Sequence, residues 1–420
     1  MELEKLKLHH PTRILEGTIA LEGSKSISNR ALLIQALCAD DFHINNLSPS
    51  DDTKILKDSL QNLQPEINIG HAGTSFRFLT AYLCLVEGTH ILTGSQRMKE
   101  RPIGPLVDAL RSIGKKIDYL ENEGFPPLQI HGSETVSSNE LNIDSSVSSQ
   151  YISALCLIAP TLKSGLKINL EGDLVSKSYI EMTLKLMEHF GIQHSWKEKC
   201  ISIEAQKYKA KDIQIEADWS AASYYFSLAA LSKKSNIKLS GLFQESIQGD
   251  AAIAEIATKL GVHSSFDDNG ILNILKEESL APPMLEYNFL QCPDIAQTVS
   301  VTCGGLGVSG MFSGLQTLKN KETNRTEALG KELLKFGVFF NPLPSQKFAK
   351  NSGKEYFLQE GKSKTEDIIT IATYKDHRMA MAFAPLSQLQ AIYIENPNVV
   401  TKSYPGFWDD LKSLGFETTD

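Results

Sequence analysis

Several short segments join cations to small polar residues at spacings suited to holding anions. Segment 23–30, Gly-Ser-Lys-Ser-Ile-Ser-Asn-Arg, runs into the apolar stretch 31–37. Ser26 or Ser28 reads there as a helix N-cap, and the backbone N–H groups of such a start favour an anion. Lys25 and Arg30 add full positive charges to it. The segment does not align with G-x-x-x-x-G-K-[ST], so it is not a Walker-type nucleotide loop. Gly73 and Thr74 precede a second apolar run, 78–86, at a point where bare backbone can approach a ligand. Ser148, Ser149 and Gln150 open a third, 151–159.

Arginine grips carboxylate or phosphate through two parallel bonds. Arg101 closes a charged run just before Pro102, and Arg378 follows Asp376 and His377 ahead of the apolar stretch 379–386. Lys321 and Arg325, four apart, share a helix face with Glu322 one step round, and Lys402 lies in a turn before the last helix. Asp294 precedes a small-residue helix and reads as its N-cap; Asp218 reads the same way and is structural. The sum points to substrates carrying several negative charges, bound between repeated elements.

Those elements recur. An amphipathic helix ending in an apolar residue and then glycine, followed by a strand-like run, occurs at Gly114, Gly191, Gly261, Gly337 and Gly415. The intervals are 77, 70, 76 and 78 residues. Glycine suits the left-handed position just past a helix end, and 116–120 and 201–204 alternate as half-buried strands do. A helix at 52–63 reads as a sixth, uncapped copy. Such a period is too long for common solenoids and fits repeated α/β units forming two similar domains.

Composition agrees. The chain has 420 residues, 41% hydrophobic and 22% charged, which excludes disordered and fibrous classes. A net charge of −8 disfavours a broad nucleic-acid or anionic-membrane surface while permitting a local basic site. Six scattered cysteines without a C-x-x-C read as reduced core thiols. The opening residues lack the apolar core of a signal peptide, and no stretch is long enough to span a membrane, so a cytoplasmic location is expected.

In their order, the motifs Gly-Ser-Lys-Ser-Ile-Ser-Asn-Arg, Ala-Gly-Thr with a following Arg, Arg-Met-Lys-Glu-Arg-Pro-Ile-Gly, Lys-Glu-Thr-Asn-Arg and Asp-His-Arg-Met-Ala-Met resemble the 5-enolpyruvylshikimate-3-phosphate synthase family. They run from about residue 23 to 405, essentially the whole chain. The resemblance implies an inside-out, barrel-like α/β fold of two similar domains, each of three repeated units. It places the first domain at 23–216 and the second at 1–22 with 217–420, with the active site in the cleft between them. It implies transfer of the enolpyruvyl group of phosphoenolpyruvate to the 5-hydroxyl of shikimate 3-phosphate, within aromatic amino-acid biosynthesis. It further implies no metal or organic cofactor, no partner beyond these small-molecule substrates, and a monomer.

Carried over motif by motif, the resemblance assigns shikimate 3-phosphate to Ser26, Arg30, Ser148, Ser149, Ser176 and Lys321, supported by Tyr179. It assigns phosphoenolpyruvate to Gly73, Arg101, Arg325, Arg378 and Lys402, with Lys25 and Gln150 reaching both substrates. Asp294 is the base at the 5-hydroxyl and binds shikimate 3-phosphate; Glu322 is the acid at the methylene carbon; Lys25 counts with them as catalytic. His377 orients or hydrogen-bonds phosphate. Three positions depart from the pattern: His71 stands where many relatives carry Asn, Thr317 where they have Asn or His, and Phe78 where they have Pro. The rival reading, UDP-N-acetylglucosamine enolpyruvyl transferase, expects Lys-Asn near the start and a cysteine in a glycine-rich loop. Here Lys25 is followed by Ser26, and no cysteine lies in such a loop. A binding-only repeat protein is the other alternative.

Overall fold

Helices without a polar stripe have to be enclosed, and this chain has several. The stretch Trp219–Leu231 contains no charged residue and is buried at every position. Ala296–Leu306 is likewise uncharged and almost wholly buried, and His377–Phe383 is buried throughout. These three pack on one another in series, with Ala296–Leu306 touching both of the others. Gly73–Leu83, Ser149–Ile158 and Lys25–Leu37 form the corresponding inner set elsewhere in the chain. The computed structural model describes residues 4–276, 281–343, 355–364 and 367–419.

The chain divides into two compact units. One is the continuous segment Gly23–Ile215; the other joins Met1–Glu22 to Glu216–Asp420.

Around the inner helices lie small sheets built to one plan. In the plan's first instance Glu66–Asn68 and Gly88–Thr93 run parallel, joined through the buried helix Gly73–Leu83. A second, amphipathic helix, Gly104–Ser112, leads to the edge strand Lys116–Tyr119. The chain then returns as Leu128–Gly132, antiparallel to both neighbours, and fills the gap between them. The same order is repeated by Glu140–Asp144, Leu166–Glu171, Cys200–Ile203 and Ser195–Lys197.

In the discontinuous unit the plan recurs three times. Met284–Asn288, Ser309–Ser313, Tyr356–Glu360 and Phe339–Pro342 form one sheet. In a second, the N-terminal strand Ile14–Ala20 lies parallel to Lys234–Ser240, although residues 23–215 separate them in the chain. In the third, Lys5–His9 takes the returning position between Ile392–Glu395 and Glu417–Thr419.

The sixth copy is reduced. Ile44–Asn45 pairs in parallel with Ile213–Gln214, and among the described residues this sheet has two strands. Its second helix, Asp51–Gln61, ends at Asn62 without a left-handed glycine, which accounts for the missing mark in the glycine period.

All five period glycines have positive φ, from 75° at Gly337 to 93° at Gly114. At four of them the backbone closes the helix in the same way. At Gly114, for example, Gly114 N–H donates to Arg111 O and Lys115 N–H to Leu110 O. Gly191, Gly337 and Gly415 repeat the pair of bonds, which satisfies carbonyls that would otherwise end the helix unpaired.

Two expected caps differ. The first helix starts at Lys25, so its cap position is Ser24, and Ser26 and Ser28 lie inside the first turn. Ser28 Oγ instead accepts from Ser48 N–H. Asp294 is not a cap: it sits in the short turn Pro293–Ile295, and Ile295 occupies the cap position. Asp218 does cap its helix, accepting from Ser220 and Ala221 N–H. All six cysteines are free thiols, and burial pushes Cys84, Cys156 and Cys303 up to about 12. Among the described residues no helix is long and apolar enough to cross a membrane.

Candidate active site

In the discontinuous unit the candidate residues gather at the starts of successive helices, around one buried guanidinium. Arg325 begins the helix Arg325–Leu334 and is almost wholly enclosed. Its Nε and Nη2 meet the two oxygens of Asp376 at 2.7 and 3.2 Å, a side-on pair. Nη2 also reaches Glu322 Oε2 at 2.9 Å, and Nη1 reaches Asp294 Oδ1 at 3.1 Å. Burial alone would lower the Arg325 pKa, but Asp376, Glu322 and Asp294 outweigh it and raise it. A permanently charged group ringed by carboxylates is the stable outcome.

Further cations close the ring. Arg378 Nη2 lies 3.1 Å from Asp294 Oδ2, Lys321 Nζ lies 3.6 Å from Asp294 Oδ1, and Lys402 Nζ lies 3.6 Å from Glu322 Oε1. Lys321, Arg325, Arg378 and Lys402 thus interleave with Asp294, Glu322 and Asp376. His377 stands beside this cluster, its Nδ1 3.6 Å from Asp376 Oδ1. Thr317 Oγ1 is buried and has no hydrogen-bond partner among the described residues.

In the continuous unit the site residues again sit at helix starts. Lys25, the first residue of its helix, pairs with Asp52 at 3.1 Å. Gly73 opens the helix Gly73–Leu83, and a Cβ there would lie only 2.5 Å from Arg101 Nη1. The bare backbone is what lets the Arg101 guanidinium lie against it. Arg101 is buried, and its Nε has no hydrogen-bond partner among the described residues. Arg77 braces the same loop, donating to Gly73 O at 3.2 Å and Pro102 O at 2.9 Å.

Ser148 caps Ser149–Ile158, and Gln150 Nε2 donates to Thr74 Oγ1 at 3.0 Å, tying this helix start to that of Gly73–Leu83. Ser176 occupies the cap position of Lys177–His189 without a side-chain capping bond, at φ 52°, a left-handed conformation that strains a side chain with a Cβ.

Arg30, like Arg325, is almost wholly enclosed. It donates to Thr183 Oγ1, Ser26 O, Ser153 Oγ and Tyr179 O at 2.7, 2.8, 3.3 and 3.1 Å. The Phe78 ring lies 5.5 Å from its guanidinium, and burial lowers its pKa to about 10. With four of its five N–H groups spent on protein, it has one left on Nη1 for a ligand. Phe78 therefore serves as packing for Arg30. His71 is exposed, with Nδ1 2.8 Å from Ser95 Oγ.

The chain as a whole has relatives. A family model described as EPSP synthase (3-phosphoshikimate 1-carboxyvinyltransferase) matches residues 10–68 and 60–411. The chain belongs to this family. It is 45% identical to the 3-phosphoshikimate 1-carboxyvinyltransferase of Bacteroides fragilis (strain YCH46) over 412 residues, 97% of each chain. To that of Sulfurovum sp. it is 37% identical, covering 96% of this chain and 98% of the other. EPSP synthase from Acinetobacter baumannii shares the fold, with a TM-score of 0.76 at 18% identity over 99% of this chain and all of that one.

Two carboxylates that hold the site's cations, Asp376 and Asp52, carry no role in the motifs of the sequence. Asp376 was visible only as part of an anion-binding start, and Asp52 as a helix opening. A carboxylate at a helix start reads as a cap from sequence. Asp376 is a cap, accepting from Arg378 N–H at 2.9 Å, and it also grips Arg325, 51 positions away.

Proposed function

We propose that the protein transfers the enolpyruvyl group of phosphoenolpyruvate to the 5-hydroxyl of shikimate 3-phosphate, releasing phosphate. The observation that carries this reading is the placement of Asp294 and Glu322 on the two Nη atoms of one guanidinium, with Lys321, Arg378 and Lys402 beside them. Adding an alcohol O–H across a vinyl bond needs a base at oxygen and an acid at the methylene carbon, a short distance apart. Two carboxylates held by a single guanidinium are spaced for that.

In this reading Asp294 takes the 5-hydroxyl proton as that oxygen bonds to the enol carbon. Glu322 delivers a proton to the methylene, which becomes a methyl group in the tetrahedral intermediate. Glu322 then removes a methyl proton while the bond from carbon to the phosphate oxygen breaks, restoring the vinyl group. Arg378, Arg325, Lys402 and Arg101, against Gly73, hold phosphoenolpyruvate. Lys321, Ser26, Arg30, Ser148, Ser149, Ser176 and Tyr179 hold shikimate 3-phosphate. Lys25 and Gln150 serve both. Charge stabilisation by preorganised cations is the largest expected contribution, and each positioned proton transfer adds about 10²–10⁴-fold. We also propose that the protein acts in the cytoplasm as a monomer, as the family resemblance implies.

The test is phosphate release with phosphoenolpyruvate and either shikimate 3-phosphate or UDP-N-acetylglucosamine as acceptor. Release with shikimate 3-phosphate alone is expected. Asp294→Asn and Glu322→Gln should then lower kcat by at least about a hundredfold, far more than they raise KM. Release with the sugar nucleotide alone would assign the rival reaction. Binding of shikimate 3-phosphate without turnover would leave a binding protein.

A further inference from the structure

In the discontinuous unit, two of the three repeats place reacting or binding groups at the starts of both their helices. One repeat carries Asp294 just before Ala296–Leu306, and Glu322 and Arg325 at the start of Arg325–Leu334. Another carries Arg378 in His377–Phe383 and Lys402 shortly before Phe407–Ser413. The third, built on Trp219–Leu231 and Ile253–Lys259, has no assigned residue. Its equivalent positions are Ser220 and Asp250.

These two residues touch each other and the cluster. Ser220 Oγ donates to Asp250 Oδ2 in a short bond, and Arg378 Nη2 donates to Ser220 Oγ at 3.3 Å. The same Nη2 lies 3.1 Å from Asp294 Oδ2, and Arg378 Nη1 is 3.5 Å from Tyr224 Oη. Asp250 is buried, and its Oδ1 has no hydrogen-bond partner among the described residues. A buried carboxyl group with one hydrogen bond, in the field of a second acid, is expensive to keep. Burial and the neighbouring Asp294 push its pKa up to about 7, against the opposing pull of Arg378 and Ser220. A position under such strain is a candidate for function. Because the Ser220 proton is committed to Asp250, its lone pairs face the guanidinium, and the hydroxyl acts on Arg378 only as an acceptor.

We propose that Asp250 is a positioning residue: through the Ser220 hydroxyl it fixes the Arg378 guanidinium against Asp294 for phosphoenolpyruvate binding. The inference rests on the assignment of Arg378 to that substrate.

The test compares kcat and KM for both substrates in Ser220→Ala, Asp250→Asn, Arg378→Ala and the double variant Ser220→Ala/Arg378→Ala. Ser220→Ala should raise KM for phosphoenolpyruvate about tenfold, the scale of one hydrogen bond to a charged group, and leave KM for shikimate 3-phosphate within about twofold. Asp250→Asn should act in the same direction and more weakly, since its amide oxygen still accepts from Ser220. Once Arg378 is alanine, removing the Ser220 hydroxyl should change kcat/KM no further, because the interaction it supports is gone. An unchanged KM for phosphoenolpyruvate in both single variants would overturn the proposal. So would a Ser220→Ala effect of equal size in both backgrounds, the mark of a structural role. Should Ser220→Ala fail to fold, Asp250→Asn carries the same comparison. A wild type that releases no phosphate would sink the reaction and not the link, which calorimetric binding of phosphoenolpyruvate to the same variants then decides.

Discussion

Gly73 shows how one missing atom can matter at a charged site. A Cβ would lie 2.5 Å from Arg101 Nη1 and 2.8 Å from Nη2, a separation that no relaxation short of moving the guanidinium can relieve. Arg101 carries no ion pair that could take it up elsewhere among the described residues. Gly73→Ala is therefore expected to displace Arg101 and raise KM for phosphoenolpyruvate by about ten- to a hundredfold, the loss of one or two charge-assisted hydrogen bonds. The Tm should change little, since the helix gains from alanine. An unaltered KM would mean that Arg101 does not act where Gly73 holds it. The identity of Gly73 and Arg101 as a pair of ligands was legible in their motifs. Their physical contact was not, because they stand 28 positions apart and only folding brings them together.

At the scale of elements, each repeat contributes two helix starts, and this is where charged residues collect. The cap glycines were the readable part, since a left-handed position constrains residue type strongly. Gly337 isolates that effect: its φ is 75°, and a Cβ built on it meets nothing within 4 Å. Gly337→Ala should cost about 1–2 kcal/mol from backbone strain alone, and Gly337→Asn less, because asparagine tolerates this region. Denaturant midpoints of the two variants check it; equal losses would mean that strain is not the cause. Helix starts were harder to read than helix ends. Ser26 and Ser28 were equally good caps by type, and the actual cap, Ser24, makes no side-chain capping bond. Asp294 looked like a cap because acids favour that position, yet its carboxylate turns to Arg325 and Arg378 instead.

For the whole molecule, chain order and spatial order differ. The unit Gly23–Ile215 is continuous and contains both strands of its reduced sheet. The other unit needs Ile14–Ala20 and Lys5–His9, which complete two of its sheets from the N-terminal side. A fragment of residues 23–215 is therefore expected to melt cooperatively on its own, whereas 216–420 without 1–22 should not, having lost a strand from two sheets. Circular dichroism melts of both fragments test this. A non-cooperative 23–215 would show that its core depends on the rest of the chain.

By itself the sequence determined the repeat, the all-round apolar helices that had to be enclosed, and the residue types able to bind polyanions. These properties are local: periodicity, cap chemistry and charge need only neighbours along the chain. Only the tertiary structure decided that Asp376 grips Arg325, that Asp52 meets Lys25, and that Asp250 reaches Arg378 through Ser220. Each of these pairs joins different helix starts across tens to more than a hundred residues. A carboxylate's partner is set by which helix ends the buried packing brings together, and no local spacing records that.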